Sequence, residues 1–308
     1  MQAQIPDDRD LPLASQSFCR GLHWRGLPET WAVPPCRNYC IEERRHELCT
    51  VRRKGRQSPS GATTVIADFA DPASLDRALD GIESVFPVCW PVPQLVELED
   101  NVVRACQKHG VRHLVQASAF GAGQFDKSFP KWHYSVEELV RASGIPATIL
   151  RPESFMQNIA SYYAGTIRSD RAFYAAGKDA PVAFVDLRDV AAVAASVLLE
   201  KTHAGVVYNL TGGEALSYAK VAERISRLLG TPVACVDLSI EQLKQAMAGR
   251  GMPPWRVEAL ADLQTFYTDG PGTSVSPDAR RILGREPILF TQFLLDYAGY
   301  FTTPTAIT

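Results

Sequence analysis

His133 and Tyr134 are the two residues of this chain best suited to moving a proton. An imidazole can give a proton to a reacting atom near neutral pH. A phenol does so more readily when a lysine one helical turn further on lowers its pKa. Here the residue four positions after Tyr134 is Glu138, so that support is absent. His133 and Tyr134 are adjacent, and on a helix adjacent residues do not share a face. A plainer reading of His133 stays open, as a residue at a helix start that hydrogen-bonds the glycine-rich loop 120–124. Other chemistries lack their residues. No G-x-S-x-G turn offers a serine nucleophile and no H-E-x-x-H offers a metal site. The seven cysteines form no C-x-x-C pair, which predicts reduced thiols and neither disulfides nor zinc.

These residues must be positioned by regular elements, and the chain supplies them in alternation. Residues 47–53 read as a short strand ending in bases, and 63–68 (TTVIAD) as a buried strand. Asp71-Pro72 opens a helix, since Asp caps the first turn and Pro tolerates it. A strand at 84–88, a helix at 95–109 stopped by Gly110, a strand at 112–118, a helix at 134–142 and a strand at 147–151 follow. The second half predicts a strand at 181–185, a buried helix at 189–199 and a strand at 206–210. Helices are expected at 218–229, 240–248, 255–267 and 291–300. Alternation of this kind implies an α/β fold, a Rossmann-like doubly wound parallel sheet, with a smaller, mostly helical C-terminal substrate domain. In such sheets ligands bind beyond the carboxyl ends of the strands. Arg52, Arg53 and Lys54 end the first of these strands. Bases there can meet the 2′-phosphate of NADP, where an acid would meet the free ribose of NAD, so NADPH is expected over NADH. A solvated basic turn is the alternative.

From Thr63 to Phe301 six pieces occur in a particular order: VIADFADPASLDRALDGIESVF, GVRHLVQASA, HYSVEELVRASGIPATILRPESFMQN, AFVDLRDVAAVA, YNLTGGEALSYAKVAERIS and GREPILFTQF. In order and spacing they resemble the NmrA-like branch of the atypical short-chain dehydrogenase/reductases, especially its quinone- and azo-reductase-like members. The resemblance implies that Asp68 and Phe69 lie near the cofactor adenine and that the loop carrying Pro87 passes along the cofactor. It further implies that Ser118 and Ala119 face the nicotinamide, and that the stretch from Pro152 to Asn158 borders the substrate cleft, with Pro152 on its cofactor side and Phe155 and Asn158 towards the substrate. Asp68 as a helix cap, Ser118 as a buried turn hydroxyl and Asn158 as an ordinary helix residue stay open beside those roles. The related isoflavone-reductase group places a lysine twelve residues before its Ile-Pro. Here that position, counted from Ile145-Pro146, holds His133.

The family's glycine-rich turn, which reads like TGATGxxG, is missing. In its place stands GLHWRGLPETWAVPPCRNYCIEERRHE, with two tryptophans and two adjacent prolines that do not suit a helix. Reading each codon as the last base of one residue's codon plus the first two of the next restores the pattern. Trp24 becomes Leu, Thr30 becomes Asn or Asp, Ala32 becomes Gly, and Tyr39 and Cys40 become Leu, all forced by the genetic code. The shifted frame permits L-A-G-A-T-G-N-V-G-R. Residues 20–44 are therefore read as a frameshifted copy of the cofactor loop, with a divergent N-terminus as the alternative.

The expected domains are residues 1–45 as this aberrant region, 46–152 with 181–212 as the NAD(P)-binding part, and 153–180 with 213–308 as the substrate cap. The expected activity is hydride transfer from NADPH to an electron-poor small molecule such as a quinone, enone, imine or azo compound. A cofactor-sensing regulator without turnover and a homologue disabled by its altered loop are the competing readings. Net charge of −2 gives no basic surplus for nucleic acid, and no apolar run is long enough for a bilayer. A cytoplasmic monomer or homodimer acting on a small molecule, with no metal, is the resulting expectation.

Overall fold

The computed structural model describes residues 47–50, 62–269 and 273–302. Strand β1 (Glu47–Thr50) pairs in parallel with β2 (Ala62–Val65). A second parallel sheet runs in the order β3 (Ser84–Val85), β4 (His113–Ala117), β5 (Ala147–Pro152) and β7 (Val207–Leu210). Helices α1 (Pro72–Ala78), α2 (Leu95–Lys108) and α3 (Ser128–Ala142) return the chain between successive strands, as parallel pairing requires. Local signals set their ends. The Asp71 side chain accepts a hydrogen bond from the Ala73 amide at the start of α1, and Pro72 occupies its first turn. The segment 1–45 and the basic residues Arg52, Arg53 and Lys54 lie outside the described residues.

Side-chain alternation along β4 gives the sheet two apolar faces. Leu114 packs with Leu75, Leu79, Val102 and Val136 beneath α1, α2 and α3. Val115 packs on the other side with Val193 and Val197 of α5 (Leu187–Leu199).

The cap contains α4 (Met156–Asp170), β6 (Ala172–Ala176), α6 (Tyr218–Leu229), β8 (Ala234–Leu238), α7 (Ile240–Gly249) and α8 (Pro254–Asp269). Short helices α9 (Asp278–Leu283), α10 (Phe290–Asp296) and α11 (Ala298–Phe301) close the described chain. Phe173, Phe184, Tyr218, Phe266, Phe290 and Phe293 share the cap's core. The cap is not helical alone. Strands β6 and β8 form a further two-stranded parallel sheet, from Ala172 opposite Ala234 to Ala176 opposite Leu238.

Residues 181–185, expected as a strand, do not join a sheet. Their polar groups are met singly: Val182 by Leu216, Ala183 by the Thr273 hydroxyl, Val185 by Ser154 and Met156. An apolar run is thereby buried and satisfied as a strap. The strap presses on the residues after β7, where a Cβ at Gly212 would stand 2.1 Å from the Phe184 carbonyl oxygen. Only glycine fits there. Among the described residues no helix is long and apolar enough to cross a membrane, and no cluster of side chains is suited to a metal ion.

Candidate active site

The carboxyl ends of β3, β4 and β5 lie side by side, and the last two stay joined past their formal limits. The Ser118 amide donates to the Leu150 carbonyl at 2.7 Å and the Phe120 amide to the Pro152 carbonyl at 2.9 Å. This fixes Ser118, Ala119 and Pro152 at one edge of the sheet. The Ser118 hydroxyl points into the protein and donates to Glu137 Oε1 at 2.5 Å. Glu137, on α3, also accepts from Arg151 at 2.8 and 2.6 Å and from Arg141 at 2.8 Å. Burial alone would raise the Glu137 pKa. The Arg151 hydrogen bonds, followed by that of Ser118, more than offset this and leave it lowered.

His133 is one turn before Glu137 on the same buried face of α3. Burial drives its pKa down to about 4, against the smaller opposite pull of the Glu137 charge. Its Nδ1 has no hydrogen-bond partner. The expectation of an imidazole that gives up a proton near neutral pH is therefore corrected: at pH 7 the ring is neutral, and it offers an N–H and not a cationic acid. Tyr134, the next residue of the helix, is exposed. Its ring lies over Gly123, where a Cβ would come within 2.9 Å, and the Arg141 guanidinium stands 5.9 Å from its centroid. The two proton donors suggested by the sequence thus occupy different faces of α3, one buried and one exposed.

Asp68 does not cap α1; that cap is Asp71. The Asp68 carboxylate accepts from the Ala70 amide and shapes the turn after β2. Phe69 is buried among the residues under α1 and α2, so Asp68 is the member of the pair with surface to offer. Pro87 is buried after β3, and Ala119 and Pro152 are half-buried at the strand ends. Phe155 caps α4 and bridges to Val185. Asn158 is half-buried one turn before Tyr162 on α4.

Three buried ionisable residues near these strand ends carried no sequence signal. Glu153 follows Pro152 directly. Its Oε1 accepts from the Tyr267 hydroxyl of α8 at 2.6 Å and from the Ser154 amide at 2.8 Å, while Oε2 has no partner. Burial pushes its pKa up to about 7, with the Tyr267 and Ser154 bonds opposing. Glu99, on α2, is driven by burial to about 8, slightly relieved by the neighbouring Gln116, although Glu99 Oε1 and both Gln116 amide atoms lack hydrogen-bond partners. Arg256, on α8, is buried against Trp90 and Tyr162. Glu153 sits inside one of the six sequence pieces but reads there as an ordinary acid after a proline. Arg256 lies outside all of them.

The edge formed by Ser118, Ala119 and Pro152, with the Pro87 loop beside it, is the carboxyl end of a parallel sheet, where ligands bind in open α/β folds. A phosphate-binding turn would belong to the segment before β1, outside the described residues.

Known proteins agree with this architecture. The sequence profile of the NmrA-like family matches residues 47–280. The chain is 33% identical to an NAD(P)H azoreductase of Xenophilus azovorans over 242 residues, covering 78% of this chain and 84% of that protein. It is 35% identical to a (4-alkanoyl-5-oxo-2,5-dihydrofuran-3-yl)methyl phosphate reductase of Streptomyces griseus over 263 residues, covering 85% and 90%. Among solved structures it is similar to an NADPH-dependent quinone oxidoreductase of Escherichia coli complexed with NADPH, at TM-score 0.73 and 25% identity over 81% of this chain and 89% of that one. The negative transcriptional regulator NmrA, complexed with NADP, shares the fold at TM-score 0.64 and 16% identity over 80% and 85%. With three-quarters of its length matched by that profile, the chain belongs to the NmrA-like family.

Proposed function

We propose that this protein is an NAD(P)H-dependent oxidoreductase that reduces an electron-poor small molecule, such as a quinone, enone, imine or azo compound, with NADPH preferred over NADH. The observation that carries this reading is the similarity, at 33% and 35% identity over most of the chain, to two reductases. The nicotinamide would supply hydride, and the chain's own residues would supply position and a hydrogen bond. Asp68 and Phe69 would border the adenine, Arg52 and Arg53 the 2′-phosphate, the Pro87 loop the pyrophosphate side, and Ser118, Ala119 and Pro152 the nicotinamide. Phe155 and Asn158 would line the substrate cleft.

In this reading His133 acts as a neutral imidazole whose N–H polarises the acceptor atom. Water then completes proton delivery; should His133 prove structural, the exposed Tyr134 phenol or water would give the proton instead. His133→Ala should lower kcat more than it weakens NADPH binding, since such a bond strengthens as charge develops in the transition state. If turnover is unchanged in that variant, His133 is structural. Loss of NADPH absorbance with a panel of quinones and enones tests the activity itself. Binding of NADPH without turnover of any acceptor would favour a cofactor-sensing regulator, the reading for which the NmrA fold likeness speaks.

Residues 20–44 are read as a frameshifted cofactor loop, a reading supported by a family match that opens at Glu47. Loss of the backbone amides that hold a pyrophosphate removes charge-assisted hydrogen bonds worth about 1.5–3 kcal/mol each. NADPH affinity of the chain as written should therefore be on the order of a hundredfold weaker than that of a variant with G-A-T-G-N-V-G in place of Gly26–Ala32 and the following helix rebuilt from the shifted frame. Equal affinities in calorimetric titrations would sink this reading. The nucleotide sequence across codons 15–50 would test the frameshift directly.

A further inference from the structure

Arg256 is the most deeply buried arginine among the described residues, at 6% exposure. Its guanidinium carbon stands 5.3 Å from the centre of the Trp90 ring. Its one side-chain hydrogen bond is a long one, 3.4 Å from Nη2 to the Tyr162 hydroxyl. No described carboxylate pairs with it. The other inward-facing arginines are provided for: Arg151 holds Glu137 at 2.6 Å and Arg188 holds Asp186 at 2.8 Å. A guanidinium taken out of water without a counter-charge is costly, and stacking on an indole recovers only part of that cost. The planar fork of arginine is suited to a two-point grip on an oxyanion.

The position of Arg256 says where such an anion would come from. Trp90 belongs to the loop that leaves the carboxyl end of β3. Tyr162 is one helical turn beyond Asn158 on α4, the helix that starts just after β5. Arg256 itself is in the first turns of α8, which also carries Tyr267, the partner of Glu153. Three elements that leave or pack against the carboxyl ends of β3 and β5 therefore meet at the guanidinium.

We propose that Arg256 is an anion-recognition residue of the substrate site, and that the preferred acceptor carries a carboxylate, sulfonate or phosphate beside its electron-poor group. This rests on the strand-end crevice being the substrate site, as argued above, but not on turnover. Trp90 covers the guanidinium from one side and Tyr162 takes one Nη2 hydrogen, leaving other N–H groups for the ligand.

The test is calorimetric binding of 1,4-naphthoquinone-2-sulfonate and of uncharged 1,4-naphthoquinone to the full chain, without cofactor. The sulfonate should bind at least about tenfold more tightly. Arg256→Met should abolish that preference while leaving the neutral quinone within about twofold. Arg256→Lys, which keeps the charge and most of the packing, should retain part of it. Lys and Met variants that melt with the wild type remove misfolding as an explanation. If Met unfolds the chain, the Lys variant decides, since loss of the two-point grip should still weaken the sulfonate several-fold.

Equal binding of the two quinones, failure of either to bind, or a sulfonate preference that survives in both variants overturns the proposal. So does an Arg256→Met variant in which NADPH affinity falls as much as sulfonate affinity, which would assign the oxyanion to the cofactor. An Arg256-dependent sulfonate preference in a chain that never oxidises NADPH would leave this inference standing and remove the oxidoreductase reading. NADPH-dependent turnover without that preference would do the reverse.

Discussion

Glu137, on α3, and Glu153, just after β5, are both almost wholly buried, and their pKa values are shifted in opposite directions. Glu137 faces two guanidinium groups and a hydroxyl, and its charged form is the stable one. Glu153 faces one phenol and one amide, has a bare Oε2, and is pushed up to about 7. Burial is common to the two, so burial does not decide the charge; the number and sign of the partners do. Every oxygen of Glu137 is thereby matched by a partner, whereas Glu153 keeps one unmet oxygen.

The sharpest way to break this contrast is to remove Glu137. Glu137→Ala leaves Arg151 buried without its partner and should cost about 3–5 kcal/mol in urea unfolding. A loss below about 1 kcal/mol would mean that Arg151 finds another partner.

Glu153→Gln should act in the other direction, and only above a certain pH. The folded pKa of Glu153 is raised from 4.5 to about 7, so the folded state binds the proton more tightly. Its stability contribution is present below pH 4.5 and is lost as pH rises through 7. The variant should match the wild type at about pH 4 and exceed it by about 1–3 kcal/mol at pH 8. Equal stabilities at both pH values would place Glu153 in water.

The smallest effect belongs to His133. With its pKa lowered from 6.5 to about 4, the unfolded chain binds more protons between those values, so stability falls as pH drops through that window. Proton NMR of the folded protein should show no His133 titration above pH 5. A midpoint near 6.5 would return the imidazole to solvent and restore it as a cationic acid.

Much of the fold was legible in short-range patterns. Helix α6 is found at the predicted residues because Ser217 accepts a hydrogen bond at its start and Gly230, at φ 65°, stops it. Strands β4 and β5 were legible because each is an apolar run bounded by a glycine or proline. Strands β6 and β8 were not. AFYAA has the small residues of a helix, and its pairing with Ala234–Leu238 spans some sixty residues of sequence. Residues 181–185 failed in the opposite sense, since apolar β-branched runs look alike whether they join a sheet or bridge between loops. In the site, Ser118 was legible as a strand-end hydroxyl, but its bond to Glu137 was not.

The sequence by itself determined the alternation of strands and helices, the family, and the end of the sheet where ligands belong. Periodicity, caps and motif order act over a few residues and survive in a one-dimensional string. Only the tertiary structure decided charge and accessibility: that His133 is buried and neutral while Tyr134 beside it is exposed, that the Glu137 pKa is lowered while that of Glu153 is pushed up to about 7, and that Arg256 is buried beside Trp90 without a counter-charge. Those properties depend on desolvation and on partners from distant segments, which exist only once the chain has packed.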